Sequence, residues 1–363
     1  MDGIEVIRYR YAPDRLETLV NDGGIVTNLR RNPWKYLLVP GFVLAQAWYA
    51  CRLLRTGKVD VIHAHWLIPQ GLIAAMLQCV PGRRVPFVVT SHGADLFALT
   101  GRVLQWMKSS VIRSACAVTV VSEAMRTRIG QIEPGAGNVS VQPMGVDMQH
   151  RFVPDPNTPR SDDELLFVGR LVEKKGLCHL LDAMPTVLAR RPSMRLRIAG
   201  FGPEEAALRG QVDRLGLAEH VDFLGAVSQA DLPGLYRRAA LFVAPFVEAG
   251  SGDQEGLGLV LVEAASCGCP IVAGDVPAVR DVLGSCSRWI LNSRDTHALA
   301  IGVLEALADP ARAKSEAENL RRLLVRQFDW EHIADGYATS LLGCTNGLSR
   351  EPVVKFPTRE DLP

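Results

Sequence analysis

The sequence predicts an α/β protein of two doubly wound domains facing a cleft, and three observations lead there. The chain has 363 residues, enough for two domains of roughly 150 residues that each bury a core. Short apolar, β-branched runs alternate with helical periodicity along its whole length, the pattern of parallel sheets covered by helices. Near the middle, the polar stretch 151–163 carries Pro154, Pro156 and Pro159. These stop both periodicities and mark a linker.

The expected first domain is 1–155. Its apolar stretch 37–51 is interrupted by Pro40, Gly41 and Gln46 and is shorter than the ~20 residues that span a bilayer. It reads as a buried helix and not as a membrane span. The flanks, Arg30, Arg31, Lys35, Arg52, Arg55 and Lys58 with Trp34, Tyr36, Trp48 and Tyr49, also suit a segment lying at a membrane interface. Strands are expected at 59–65, 86–90, 117–121 and 139–142, and in a second domain, 163–326, at 165–169, 195–200, 221–224, 240–244 and 270–273. A helical segment at 327–342, with Trp330, Ile333, Ala334, Tyr337 and Leu341, is expected to cross back over the first domain. The polar tail 343–363 is expected to be poorly ordered.

Composition narrows the function. Hydrophobic residues at 48% and charged residues at 22% exclude a disordered, collagenous or coiled-coil chain. A net charge of +1 argues against a nucleic-acid partner held by bulk charge. Residues 1–160 hold 18 Lys and Arg against 11 Asp and Glu, whereas residues 161–363 hold 22 against 28. The basic front half suits an anionic surface or acceptor. Of the eight cysteines, Cys267 and Cys269 are the only close pair, with no second pair at zinc spacing. Cys51, Cys79, Cys116, Cys178, Cys286 and Cys344 are scattered. Reduced, structural thiols in a cytoplasmic protein are expected. Charges at Asp2, Glu5, Arg8 and Arg10 do not suit a secretory signal.

The segment 252–265 carries the most chemistry, joining a glycine loop to an apolar helix with Glu255 and Glu263 eight residues apart. Glycines permit close backbone approach, and free amides at a helix start bind phosphate. Eight helical residues would span about 12 Å, an upper limit because Glu255 belongs in the loop. Carboxylates accept paired hydrogen bonds from vicinal hydroxyls. Glu255 could therefore read sugar hydroxyls and Glu263 a ribose, with a pyrophosphate on the amides of Gly256, Leu257 and Gly258 between them. A helix terminus with a dipole-favoured acid and one unrelated glutamate is the plainer alternative.

With Cys267-Gly268-Cys269-Pro270 behind it, with 167–176 (Phe-Val-Gly-Arg-Leu-Val-Glu-Lys-Lys-Gly), 199–203 (Ala-Gly-Phe-Gly-Pro) and 143–147 (Pro-Met-Gly-Val-Asp), the chain resembles the retaining nucleotide-sugar glycosyltransferases of family four. The likeness covers roughly residues 55–340. It implies the GT-B fold, two Rossmann-like domains facing a cleft. It also implies that Arg170 and Lys175, beside Gly169, bind the donor pyrophosphate, and that His65 lies near the transferred sugar. Fixed cations and helix-terminal amides can stabilise a departing diphosphate without a metal. His92, Asp95, Ser122 and Glu123 resemble the acceptor side of that cleft, although turn bonding explains Asp95 and helix capping explains Ser122 equally well. His63 and His65 share one side of a strand, but no third metal ligand is apparent.

The resemblance implies transfer of a hexose from a nucleotide diphosphate sugar to a glycan or lipid-linked hydroxyl with retained configuration, in polysaccharide biosynthesis. It implies no cofactor or metal. The expected setting is the cytoplasm, with peripheral contact at the inner face of the membrane. One departure stands out. Residues 2–11 look like a later strand of the family's front domain, so its opening strand, glycine loop and helix look absent, and Gly23-Gly24 is a poor substitute. That departure keeps open a catalytically weak nucleotide-sugar-binding protein, and the fold keeps open a nucleotide-sugar epimerase.

Overall fold

The computed structural model describes residues 3–21, 25–79, 84–284 and 288–346, and they build two parallel sheets flanked by helices. The first contains β1 (Ile62–His65), β2 (Phe87–Ser91), β3 (Ala117–Val120) and β4 (Val139–Val141), in the order β1-β2-β3-β4. β2 is buried along its full length, which is why it reads as a continuous apolar run and not as an alternation. Ala64 lies opposite Val89, and Val89 opposite Val118.

The second sheet holds β5 (Glu164–Val168), β6 (Arg195–Ala199), β7 (Val221–Gly225), β8 (Leu241–Ala244), β9 (Ile271–Gly274) and β10 (Ile290–Leu291), in the order β10-β9-β8-β5-β6-β7. The strand order reverses between β5 and β8. Ligands of such sheets bind outside the carboxyl ends of the strands at that reversal. β10, two residues long, was too short for any sequence pattern to announce.

One buried cluster runs from Val89 and Val118 through Met148 and Phe152 to Phe242, Leu261 and Ala264, joining the two halves. A second, with Phe167, Leu180, Ile198 and Val243, lies within the rear half. After the helix Pro310–Phe328 the chain returns to the front half. Val146 N–H donates to Phe328 O at 2.8 Å, and Trp330 N–H to Val146 O at 3.2 Å. The helix Trp330–Asn346 then packs there, its Tyr337 hydroxyl donating to Gln142 O at 3.1 Å. A β-carbon on Gly145 would collide with the Trp330 indole, so only glycine lets the crossing helix approach.

Three expectations are corrected. Residues 4–11 form no strand, because the Tyr11 N–H donates to the Glu17 side chain at 2.8 Å and not to a neighbouring strand. Tyr9 and Tyr11 instead pack their rings on Phe42. The stretch 37–51 is not a buried core helix. With the turn before it, it forms the apolar segment Pro33–Leu54, 22 residues, long enough to cross a membrane by length and composition, and little of it is buried. Only Leu38 and Phe42 of the helix Leu38–Leu54 are buried, in a small satellite core with Leu19. The cysteines are not all reduced, since Cys116 and Cys344 form a disulfide between β3's approach and the last helix. Cys267 and Cys269 are free and buried, and burial pushes their thiols up to about 12 and about 11. Gly23, Gly24, Cys286 and the tail from 347 onward lie outside the described residues.

Candidate functional site

Two loops leave the carboxyl ends of β5 and β8, and both carry expected donor-side residues. Lys175 closes a short turn, Glu173–Lys175, before the helix Leu177–Arg190. Gly176 holds φ +67°, and a β-carbon there would strike the Pro245 carbonyl. The turn is thereby pressed against the exit of β8. Lys175 Nζ lies 2.7 Å from Glu255 Oε2 and 4.4 Å from the centre of the Phe246 ring. Its stem passes Gly169, where a β-carbon would stand 3.5 Å from Lys175 Cε. Arg170 is exposed at the end of β5.

The helix begins only at Leu259, so Glu255 is in the loop and Gly258, at φ +81°, turns the chain into the helix. Glu255 is largely withdrawn from water. Burial alone would raise its pKa, but the Lys175 and Lys174 charges outweigh that and hold the carboxyl below its usual range. Its Oε2 is buried without an aligned hydrogen-bond donor, the lysine contact being an ion pair. Glu263, one helical turn into Leu259–Ser266, is 7% exposed. The fully buried Tyr236 donates its hydroxyl to Glu263 Oε2 at 2.9 Å. Burial raises the Glu263 pKa, partly opposed by the tyrosine and Lys175. The side chain of Leu257 is core, so that residue offers the site its backbone alone.

On the facing half, β1, β2 and β3 end at His65, Ser91 and Val120. His65 Nδ1 is 2.9 Å from His92 Nε2, and their rings stack at 5.1 Å. His63 sits behind them, its Nε2 2.7 Å from Thr90 Oγ1. Burial, then neighbouring imidazoles, lowers His63 and His92 to about 4, and burial lowers His65. At neutral pH the cluster is uncharged and its ring nitrogens are available as hydrogen-bonding groups. Asp95 does not face the cleft. It is 1% exposed, accepting from the Leu67 N–H at 2.6 Å and the Ser91 hydroxyl at 2.8 Å. Its two oxygens fix the turns after β1 and β2. Ser122 is fully buried and caps the helix Glu123–Ile132 through the Met125 N–H at 3.4 Å. Glu123 is half-buried.

The halves touch at these loops. A β-carbon on Gly256 would lie 2.7 Å from His92 O, and one on Gly93, at φ +110°, would lie 3.3 Å from Gly256 Cα. Asp281 of the rear half accepts from the Ala124 N–H at 3.1 Å across the boundary. Sequence reasoning missed Asp281, Tyr236, Glu173 and Lys174. Lys174 Nζ binds Asp253 Oδ1 at 3.2 Å and Gln254 O at 3.1 Å, and Glu173 Oε1 accepts from the Gly250 N–H at 2.7 Å. These two brace the loop from below, a role the adjacent charges at 173–175 could have suggested. A cavity of about 600 Å³ lies apart from all these groups, between the linker at Pro154–Asp162 and Cys267, Pro310 and Arg321.

Residues 149–323 match the family described as Glycosyl transferases group 1, and residues 2–150 match Glycosyltransferase Family 4. The chain is 33% identical over 292 residues to a phosphatidyl-myo-inositol mannosyltransferase of Mycobacterium tuberculosis, covering 77% of this chain and 73% of that one. It is 30% identical over 290 residues to a GDP-mannose-dependent alpha-(1-6)-phosphatidylinositol monomannoside mannosyltransferase of Mycolicibacterium smegmatis, covering 77% and 75%. Among solved structures, sucrose-phosphate synthase from Thermosynechococcus elongatus superposes with a TM-score of 0.71 at 24% identity, over 85% of this chain and 78% of that one. Anabaena Alr3699/HepE in complex with UDP gives 0.70 at 21% identity, over 83% and 82%. These two structures speak to the fold.

Proposed function

Because the chain belongs to the glycosyltransferases of the GT-B fold, we propose that it transfers a hexose from a nucleotide diphosphate sugar to a hydroxyl acceptor with retention of anomeric configuration. The observation that carries this reading is the Lys175–Glu255 pair at the β5/β8 reversal, with Glu263 one end further along the same segment. The donor diphosphate lies against Arg170, Lys175 and the amides of Gly256 to Gly258, where fixed positive charge meets charge that grows as the diphosphate departs. Glu255 accepts from sugar hydroxyls and Glu263 from the ribose. His65, neutral and beside His92, faces the transferred sugar from the front half.

In this reading the bond between the anomeric carbon and the phosphate oxygen breaks, and the acceptor oxygen bonds to the same face. The acceptor proton passes to the leaving phosphate. The mannosyltransferase relatives act, by their names, on phosphatidylinositol-based lipids, which favours a lipid-linked or glycan acceptor and a working position at the cytoplasmic face of a membrane. The test is turnover of UDP- and GDP-hexoses with simple alkyl glycoside acceptors, reading product configuration by proton NMR. An α-linked product from an α-linked donor is expected. An inverted product would overturn retention, donor epimerised without acceptor would favour an epimerase, and binding without turnover would favour a binding protein.

A further inference from the structure

The cavity of about 600 Å³ beneath the linker takes no part in the transferase reading. Five cations line it, Arg160, Arg191, Arg237, Lys314 and Arg321, against three acids, Asp155, Asp162 and Glu318. Lys314, Glu318 and Arg321 recur at i, i+4 and i+7 and so share one face of the helix Pro310–Phe328. Elsewhere Arg113, Arg280 and Arg312 each meet a carboxylate, but among the described residues none of these five cations forms a salt bridge. The four arginines bond instead to main-chain carbonyls. Arg160 donates to Tyr236 O and Gly268 O at 3.2 and 2.9 Å, and Arg191 to Asp162 O and Leu307 O at 3.3 and 2.8 Å. A carbonyl accepts the hydrogen bond and leaves the net charge in place.

Two of these arginines also hold the joint between the halves. Arg237 donates from Nε to Val153 O at 2.7 Å and from Nη2 to Arg151 O at 3.1 Å. Arg321 donates from Nε to Ser266 O at 3.0 Å and from Nη2 to Met148 O at 3.2 Å. Met148, Arg151 and Val153 lie in the stretch that leads from the front sheet to the rear one. Nη1 of both arginines makes no hydrogen bond among the described residues, so each guanidinium grips the joint and keeps a donor nitrogen for a ligand. Charge and shape then select the occupant. The cavity has two more cations than acids, which matches a phosphate monoester carrying about −1.5 to −2 at neutral pH and suits the arginine fork. Inorganic phosphate would fill a fraction of the volume and bring little for Asp162 and Glu318 to accept. A body bearing hydroxyls supplies donors to both acids, and Pro154, Pro270 and Leu307 pack against its carbon skeleton. The volume is in the range of small-molecule sites.

We propose that this cavity binds a soluble phosphate monoester with a hydroxylated body, a sugar phosphate in class, its phosphate on Arg237 and Arg321 and its hydroxyls on Asp162 and Glu318. Lys314 adds to the attracting field. Held at Nη1, the two arginines sample fewer positions, and their bonds to the carbonyls of Met148, Arg151 and Val153 persist longer. Occupancy therefore stiffens the joint between the halves. A ligand shifts such an equilibrium only by its difference in affinity between states, and here the difference is whether the joint already aligns Arg237 and Arg321. This binding is independent of the transferase reading.

The test is isothermal titration calorimetry of the full chain with glucose 6-phosphate, inorganic phosphate and glucose. Glucose 6-phosphate is expected to bind, inorganic phosphate to bind more weakly, and glucose not to bind. Arg237→Gln is expected to weaken the sugar phosphate about thirtyfold. Lys314→Glu, at an exposed position that the fold does not rely on, is expected to weaken it about tenfold. Lys175→Ala, at the separate donor-side pair, is expected to bind it as wild type. Circular dichroism melts of each variant verify folding. With saturating ligand, hydrogen exchange across residues 146–153 is expected to slow. No binding, or glucose binding as tightly as its phosphate, would overturn the proposal. So would a loss in Lys175→Ala as large as in Lys314→Glu, which would put the phosphate at the β5/β8 reversal. Equal affinity for inorganic phosphate would overturn the hydroxylated body, and unchanged or faster exchange would overturn the link to the joint.

Discussion

Lys175 is the residue on which most of the site's electrostatics rest. It neutralises the withdrawn Glu255 at 2.7 Å, offsets part of the rise that burial imposes on the Glu263 pKa and, in the proposed reading, stands against the donor diphosphate. Replacing it with alanine leaves a buried carboxylate without its principal cation and removes one fixed charge from the leaving group. Lys175→Ala is expected to lower kcat/KM about 10²- to 10³-fold. It should also shift the acid limb of the pH-rate profile upward. The ionised form of Glu255 persists down to its depressed pKa only while the lysine is present, so without it the charge is lost at a higher pH. An unchanged acid limb would show that the pair is not coupled. Lys175 and Glu255 were legible because each stands in a short motif whose residue types have a chemical reason to be together. Tyr236 was not. An isolated tyrosine in a helical run gives no sign that its hydroxyl ends on a glutamate 27 positions later.

Among the elements, the helix Glu123–Ile132 shows what sequence pattern cannot supply. Ser122 as its cap could be anticipated from the residue alone, but its first amides also receive Asp281 from the other domain. Burial first, then the charge of Glu123, raises Asp281 to about 6, against the amides that favour its ionised form. An acid with a raised folded pKa holds its proton more tightly in the folded chain. Folding is therefore favoured as pH falls from about 6 toward the ordinary value of 3.8, and that advantage is lost as pH rises through the window. Asp281→Asn keeps an acceptor for the Ala124 N–H and removes the titration. In urea unfolding, the wild type is expected to lose stability relative to the variant as pH rises across this interval. A constant difference would mean that Asp281 does not titrate there. The helix Leu38–Leu54 was misread for the converse reason. Its apolar composition was plain, but composition does not say whether a neighbouring element covers it, and only Leu38 and Phe42 found one.

At the level of the whole molecule, two parallel sheets were readable because each strand is a short apolar run bounded by turns, and β1 to β9 all fall at expected places within a few residues. The closure of the two halves was not readable. It depends on Gly93 and Gly256 meeting backbone to backbone, and on Asp281 accepting from the Ala124 N–H across the boundary, neither of which leaves a spacing signal. This closed arrangement brings the strip of cations, amides and carboxylates from Lys175 to Glu263 up to the neutral histidine cluster, and the proposed reading lays the donor along it. The most direct measurement is a crystal structure with a bound nucleotide diphosphate sugar. The expected result has its phosphates within hydrogen-bond reach of Lys175 and Arg170, its ribose on Glu263 and its hexose between Glu255 and His65. A donor bound instead in the cavity under the linker, beside Pro154 and Arg321, would contradict the account.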